Sequence, residues 1–433
     1  MVANEEQTSE VLKTSEVSFR HSGKRSLRWR LCLLMFLQYA PAGAMLPLFS
    51  LRLKELSFNA LEIGWICATQ ALAALVGPLI AGQVADRWLP PKYCLAAAAL
   101  VAGGLLWLLA GLTSSLAVFV TSFAFWLTMA PAIMLGTAVT FANLPNPDQD
   151  FGRVRLWGTV GWVAAVYALI CWFRNPEWLC RIVAHLRPAS PHSELADAFR
   201  LGGLLAFALS AYALTLPLSP AEGRRVGVRG ARPAPIAALR LLRSRPLLLA
   251  WISAFGIWMT WPFFTQATPL LLRHLGIELA ELSFYLTIAQ GVEMLSLAVL
   301  PILLLRLGLR GTMLLGLLAM TLGMAIQAAG QPDYLVIASL GLYGLCVSSF
   351  LVSCQVFTNS RARGDIRASA QALLSFISGL GMLIGNLLAG FVRQLADERL
   401  PPTFLVATLL AAGITLVFFL FFSEEPTADK KPA

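Results

Sequence analysis

Uninterrupted apolar runs recur along almost the whole sequence, and each is about the 20 residues that an α-helix needs to cross a membrane. The segment 403–423, for example, contains no charged residue. Strands of a membrane β-barrel instead alternate apolar and polar residues. Hydrophobic residues make up 58% of the 433 and charged residues only 13%, against about a quarter charged in soluble domains. The sequence therefore predicts an all-α, polytopic membrane protein.

Reading each apolar run of 18 or more residues as a span gives twelve transmembrane helices. The fourth is long enough that it must tilt or extend beyond the bilayer. The predicted spans are 31–51, 61–82, 93–113, 114–142, 151–173, 201–220, 247–272, 282–305, 312–329, 334–357, 368–392 and 403–423.

Basic residues are distributed unevenly between the two sides of the membrane that this topology defines. The formal net charge is +10, and most of the 33 Lys and Arg residues fall on the side of the membrane that holds both chain ends. Because such residues mark cytoplasmic segments, we expect both termini in the cytoplasm. This explains the positive charge better than nucleic-acid binding does. No cleavable signal is recognised in 1–30, and with the short loops this indicates a multi-pass protein of a bacterial inner membrane.

A basic linker divides the chain. The segment 221–246 is rich in Arg, Gly and Pro and separates 31–220 from 247–423, each with six predicted spans. Equal halves of this kind indicate two six-helix bundles derived from a repeated unit. The remaining segments, 1–30 and 424–433, are predicted as cytoplasmic tails.

The sequence lacks the patterns of catalytic and metal sites. We find no Gly-rich phosphate loop, nucleophile elbow or metal-ligand spacing. The seven cysteines are scattered without a C-x-x-C pair, which is typical of small buried thiols rather than of a disulfide or metal site. We therefore expect no enzyme activity, no cofactor and no metal, and a chain whose transport of a solute is either passive or driven by a gradient.

One carboxylate lies in the middle of an apolar run. Glu293, on the eighth span, is costly to place in a membrane and is thus a functional candidate, because a carboxyl in that setting can take up and release a proton. Gln290 lies three residues earlier on the same helical face. The functional interpretation is proton coupling or substrate binding, and the alternative is a structural glutamate that pairs with a neighbouring helix.

A second polar stripe lies on the fifth span. Arg155, Thr159 and Trp162 are spaced i, i+4 and i+7, so they share one helical face. A guanidinium, a hydroxyl and an indole together can recognise a planar polar ligand. In the alternative, Arg155 reaches the membrane interface and Trp162 is a core residue. On the tenth span, Tyr343 and Ser348 could face the same cavity or act in helix packing.

The seventh span is rich in polar residues and carries two prolines, Pro262 and Pro269. Gln266 lies between them. These residues fit a broken helix that lines a cavity, and they fit equally well a kinked helix whose hydroxyls bond locally.

The segment Gly82-Gln-Val-Ala-Asp86-Arg87, which follows the second span, resembles the Gly-x-x-x-Asp-Arg signature of the major facilitator superfamily. The resemblance implies the fold of that superfamily. Gly82 would allow a close approach of helices, while Asp86 and Arg87 would cap a helix and pair charges across the two halves. That pairing would stabilise the outward-facing state.

Within the superfamily, the chain resembles the nucleoside:proton symporters over nearly the whole membrane region. The matching strings are Phe36-Leu-Gln-Tyr39, Val84-Ala-Asp-Arg-Trp-Leu89, Arg155-Leu-Trp-Gly-Thr159, Gln290-Gly-Val-Glu293, Tyr343-Gly-Leu-Cys346 and Ile366-Arg-Ala-Ser-Ala-Gln371.

The resemblance implies a nucleoside site between Arg155, Thr159 and Trp162 in one half and Gln290, Glu293 and Tyr343 in the other. Family members usually carry an aspartate on the tenth helix, where this chain has Ser348. Gln266 is the candidate replacement for the family's Gln/Asn pair on the seventh helix.

Together these observations predict a monomeric carrier that moves nucleosides or similar polar ring compounds by alternating access, with Glu293 as the proton-coupling residue. Its expected partners are protons, the lipid bilayer and a nucleoside-like small molecule, without nucleic acid. Two alternatives remain open: a carrier for another solute, such as a sugar, an aromatic acid or an exported drug, and a membrane sensor that does not transport. The segment 174–200 is a candidate lid over the site.

Overall fold

The structure is a computed structural model that describes residues 27–87, 91–144, 147–174, 193–216, 244–362 and 367–423. The predicted tails 1–30 and 424–433 and the linker 221–246 lie wholly or largely outside these ranges. Most of the candidate lid 174–200 does as well.

In these ranges the secondary structure is helical, and we label the helices α1 to α12 in chain order. Leu279–Ala329 comprises α8 and α9. The bounds are α1 Leu27–Glu55, α2 Ala60–Arg87, α3 Pro91–Gly111, α4 Ser115–Asn143, α5 Pro147–Arg174, α6 Glu194–Thr215, α7 Arg245–His274, α8 and α9 Leu279–Ala329, α10 Asp333–Arg361, α11 Arg367–Leu395 and α12 Leu400–Phe421.

Ten of the described helices are long and apolar enough to cross a membrane. One of them, Leu279–Ala329, has 51 residues and would be roughly 77 Å long as a straight helix, more than twice the ~30 Å hydrocarbon core. Gly308 divides it, with φ 68° and ψ 177°, a conformation that favours glycine. With this division and with α2, the count is compatible with the predicted twelve spans.

The sixth span begins earlier than the predicted 201–220. The helix α6 starts at Glu194, and the Ser193 hydroxyl caps it by accepting a hydrogen bond from the Ala196 backbone NH. The predicted span omits 194–200, which carries the charged residues Asp197 and Arg200. In the structure these two form an ion pair of 2.6 Å, and the Trp172 indole donates to Asp197 at 3.0 Å. Pairing of this kind is what lets charged residues lie inside a bundle.

The helix α7 is continuous from Arg245 to His274, with Pro262 and Pro269 inside it. This agrees with the interpretation in which hydroxyls bond locally, and a broken helix is not found. The Thr260 hydroxyl donates to the Ile257 carbonyl at 2.9 Å. Such a bond satisfies the polar group within its own helix.

The two halves use the same close contact between their first and fifth helices. In the first half, a Cβ on Gly161 of α5 would overlap the Phe36 carbonyl of α1. In the second half, a Cβ on Gly385 of α11 would overlap the Met259 carbonyl of α7. Small residues let helix backbones approach in membranes, so corresponding glycines set corresponding contacts in the two halves.

The halves meet at the end of the bundle where α1 finishes and α2 begins, which we call the α1–α2 end. There Lys54 of α1 forms an ion pair with Glu398 of the α11–α12 connection. A Cβ on Gly64 of α2 would lie only 2.9 Å from the Asn386 carbonyl of α11. The ring centroids of Tyr167 and Phe284 are 6.2 Å apart, which joins α5 to α8. We call the opposite end the α2–α3 end.

Candidate functional site

Two adjoining cavities lie between the halves. The larger one, about 390 Å³, is lined by Arg155 and Glu293, and we call it the charged cavity. The other, about 290 Å³, has no charged residue among the described residues that line it, and we call it the neutral cavity. Five residues line both cavities: Trp162, Trp258, Trp261, Phe264 and Gln290. The site is therefore a continuous chamber with an aromatic wall.

A third cavity of about 230 Å³ lies toward the α2–α3 end. It shares Leu351 and Gln355 with the charged cavity, and Trp258 lines all three cavities. The third cavity therefore adjoins the chamber, and the Trp258 indole of α7 lies at their boundary.

The helix α5 brings the predicted stripe to one wall of the charged cavity, which Arg155, Thr159 and Trp162 all line. The Arg155 guanidinium lies over the Tyr39 ring of α1, 4.0 Å from its centroid. Gly158 makes room for this stack, because a Cβ there would lie 2.6 Å from a Tyr39 ring carbon and 2.8 Å from an Arg155 nitrogen. A cation held over an aromatic face is both attracted and fixed in position.

The opposite wall is formed by α8, from which Gln290 and Glu293 line the charged cavity. Leu295, two residues further along, is 70% exposed on the outside of the bundle, so the polar face of α8 points to the interior. Arg155 acts electrostatically on Glu293 across the cavity. In the described part of the chain, Arg155 and Glu293 form no direct ion pair with each other, so both side chains remain available to a ligand.

Three of the predicted binding residues are not among the residues that line either cavity. The Gln266 amide donates to the Asn386 Oδ1 at 2.7 Å. Tyr343 stacks on Phe264 with ring centroids 3.5 Å apart, and its hydroxyl donates to the Met324 sulfur at 3.2 Å.

The third of these residues is Ser348, whose hydroxyl donates to the Gly344 and Leu345 carbonyls of its own helix at 3.2 and 3.1 Å. It lies in a π-helical segment, Val347–Val352, of the kind often found at functional sites. The binding roles of Gln266, Tyr343 and Ser348 stay predictions, as do those of the residues that line the cavities.

The predicted gating residues Gly82, Asp86 and Arg87 lie in the last two turns of α2. Their side chains are outside the described part of the chain, so their proposed charge pairing is untested. Within the described residues, no group of three or more His, Cys, Asp and Glu side chains could hold a metal ion.

Several residues of the chamber were not predicted as site residues. Tyr39 ends the string Phe36-Leu-Gln-Tyr39 of the first span, but its contact with Arg155 depends on how closely α1 and α5 pack. Gln70 of α2 and Asn386 of α11 line the neutral cavity. A glutamine or an asparagine in an apolar run is a signal that could have pointed to them.

The Arg155–Tyr39 stack makes a testable prediction. We expect Tyr39→Leu to weaken ligand binding about 2–30-fold, because a cation–π contact contributes roughly 0.5–2 kcal/mol to holding the guanidinium. Tyr39→Phe keeps the ring and is expected to bind normally. Titration of the purified protein in detergent with its ligand measures both. Equal weakening by the two variants would show that the hydroxyl, rather than the ring, supports Arg155.

The described residues that line the chamber offer one cation, one carboxylate, neutral amides and several indoles. The guanidinium and the carboxylate can both bind hydroxyls, the carboxylate can also take up and release a proton, and the indoles can stack on a flat ring. The arrangement suits a polar compound that carries a planar ring.

Comparison with solved structures shows the fold. The chain matches the structure of the nucleoside transporter NupG with a TM-score of 0.77 and 22% sequence identity, and the match covers 92% of this chain and 100% of that one. It also matches a D-xylose–proton symporter with a TM-score of 0.66 at 15% identity, over 92% of this chain and 98% of that one.

Comparison of sequences shows the family. The chain is 27% identical to the xanthosine permease of Escherichia coli (strain K12), over 94% of its length and 98% of that protein. It is also 27% identical to the putative nucleoside transporter YegT of the same strain, over 91% of its length and 93% of that protein. The family model described as "Nucleoside H+ symporter" matches residues 25–427. The predicted resemblance is thereby confirmed, and the chain belongs to the nucleoside H+ symporter family.

Proposed function

We propose that the protein is a secondary transporter that carries nucleosides together with protons through the membrane by alternating access. The observation that carries this proposal is the placement of Arg155 and Glu293 on opposite walls of one chamber between the two halves. Such a chamber at the interface of two repeats is where secondary transporters bind substrate. Family membership supports the same function.

In this proposal each wall has its own task. Arg155 and Thr159 bind polar groups of the nucleoside, and Trp162 stacks on its base. Gln290 bonds to the substrate from the other half. Glu293 accepts a proton, which removes the charge of a carboxylate that is costly inside a membrane, and the loaded carrier then reorients.

The contacts between halves support the conformational part of the proposal. The halves touch at the α1–α2 end through Lys54 and Glu398, and alternating access requires that these contacts separate. Gly82, Asp86 and Arg87 lie at the α2–α3 end, where they would stabilise the opposite state. We further propose that the protein is a monomer in a bacterial inner membrane, with the α2–α3 end and both termini on the cytoplasmic side.

Uptake by proteoliposomes tests this function. We expect radiolabelled uridine and adenosine to accumulate when the outside is more acidic than the inside, and a proton ionophore to abolish the accumulation. Unlabelled nucleosides are expected to compete, whereas sugars and aromatic acids are not. Accumulation of a sugar or an acid instead would favour a carrier for another solute. Nucleoside binding without uptake under any gradient would favour a sensor.

A further inference from the structure

We infer that the neutral cavity holds the base of the transported nucleoside and that Asn386 determines base specificity by bonding to its edge. This inference rests on the proposed nucleoside transport and goes beyond it, because it assigns a subsite to residues on α2 and α11.

The walls of the neutral cavity suit a flat, uncharged ring. Four indoles line it, from Trp126, Trp162, Trp258 and Trp261, together with the Phe264 ring. The Trp258 and Trp261 ring centroids are 5.7 Å apart, so they form one aromatic surface. Stacking of a base on such a surface contributes about 1–3 kcal/mol and is tolerant of base identity. The aromatic wall therefore binds the ring but does not select it.

Selection requires groups that match the hydrogen-bonding edge of a base. The neutral cavity supplies three amides, Gln70 from the first half and Gln290 and Asn386 from the second. Each amide carries both a donor and an acceptor, and amides of this kind bond to base edges in pairs of hydrogen bonds. The described residues of this wall include no charged side chain, and the Ser50, Thr265 and Thr287 hydroxyls that also line it donate to backbone carbonyls. The amides are therefore the groups that present a donor and an acceptor together.

Asn386 is the amide whose orientation is fixed. It is 1% exposed, and its Nδ2 donates to the Met382 carbonyl at 2.8 Å. Its Oδ1 accepts from the Gln266 Nε2 at 2.7 Å. Since a carbonyl can only accept, the Asn386 atom beside Met382 must be the nitrogen. One Nδ2 proton and one Oδ1 lone pair remain for a ligand, at a defined angle.

Gln266 acts through Asn386 and is a positioning residue. Besides the bond to Oδ1, its Nε2 lies 3.3 Å from the Asn386 backbone carbonyl, so α7 holds both the side chain and the backbone of Asn386. This explains why Gln266 is fully buried without lining the cavity. The predicted role of Gln266 in binding is in this way indirect.

The two cavities then divide the substrate. Glu293 and Arg155 lie in the charged cavity with the hydroxyl-bearing sugar, while the base occupies the neutral cavity. Trp162 and Gln290 line both cavities and therefore contact the substrate where the sugar and the base join.

The test measures a specificity ratio in proteoliposomes. Adenosine is compared with purine riboside, and uridine with pyrimidin-2-one riboside, since each analogue lacks the exocyclic group at the base edge. In the unmodified protein we expect at least one natural nucleoside to compete about tenfold better than its analogue, because a buried donor or acceptor left unpaired costs roughly 1–3 kcal/mol. Asn386→Leu and Gln266→Leu are expected to bring that ratio close to one.

Gln327→Leu is the matched control. Gln327 is a buried amide that accepts from the Thr268 hydroxyl at 2.7 Å between helices of the second half, and it lines neither cavity. We expect this variant to keep the ratio. If Asn386→Leu does not fold, Gln70→Leu, which removes an amide from the opposite wall, is expected to lower the ratio as well.

The outcomes separate the two claims. A ratio that survives Asn386→Leu, or that falls equally in Gln327→Leu, overturns the base subsite while leaving nucleoside transport intact. Failure of the unmodified protein to transport any nucleoside overturns the proposed function itself.

Discussion

Replacing the Glu293 carboxyl by an amide in Glu293→Gln is expected to abolish proton-driven accumulation of nucleoside while leaving exchange of nucleoside across the membrane intact. Glutamine has nearly the same shape and can still bond to the substrate, but it cannot carry a proton. The accumulation ratio in proteoliposomes with an acidic exterior is therefore expected to fall to one. Counterflow of labelled against unlabelled nucleoside, without a gradient, measures the exchange that remains.

Glu281→Gln provides the matched control on the same helix. Glu281 lies in the first turn of α8 and is exposed away from the chamber, so its neutralisation is expected to leave accumulation unchanged. Full accumulation by Glu293→Gln would contradict the coupling role. Loss of both accumulation and counterflow would instead show that Glu293 is needed for substrate binding or folding.

A single methyl group at Gly344 is expected to inactivate the carrier. A Cβ on Gly344 of α10 would overlap the Ala289 carbonyl and lie 2.6 Å from the Glu293 backbone nitrogen. Gly344→Ala must therefore push α8 away from α10 and displace Glu293 with it. Overpacking of this kind costs about 1–3 kcal/mol, so we expect a lower unfolding temperature in detergent together with strongly reduced uptake.

Gly291→Ala shows what the same substitution does in open space. Gly291 lies on α8 close to Glu293, and a Cβ there meets nothing within 4 Å. Since alanine favours a helix over glycine by about 0.8–1.0 kcal/mol, we expect Gly291→Ala to keep the unfolding temperature or raise it. An equal loss of stability in both variants would show that helix flexibility, rather than the α8–α10 contact, requires glycine at these positions.

The all-helical membrane fold and the charged part of the site could be predicted from the sequence, because long apolar runs and a charged residue inside such a run can be recognised without a structure. A charged group in an apolar run is costly, and this singles out Glu293 without any knowledge of packing. The i, i+4, i+7 spacing likewise places Arg155, Thr159 and Trp162 on one face.

What the sequence could not supply depends on distances between helices. Tyr343 and Ser348 are polar residues on a helix near the chamber, but the sequence does not show whether they line it. Tyr343 is held by its stack on Phe264, and Ser348 lies in the π-helical segment of α10, where its hydroxyl bonds within the helix. The residues of α6 before 201 are not predicted as part of a span, because a count of apolar residues does not take account of the pairing of Asp197 with Arg200 and Trp172.

The Lys54–Glu398 contact has a consequence for how the carrier responds to its surroundings. Both side chains are partly exposed, and an exposed ion pair stabilises by at most about 1 kcal/mol and is weakened by salt. Glu398 also lies 4.0 Å from the buried Arg393 guanidinium. One of the contacts that close the α1–α2 end is thus electrostatic and within reach of solvent ions, so we expect the ionic strength of the compartment outside that end to affect how often the carrier opens toward it.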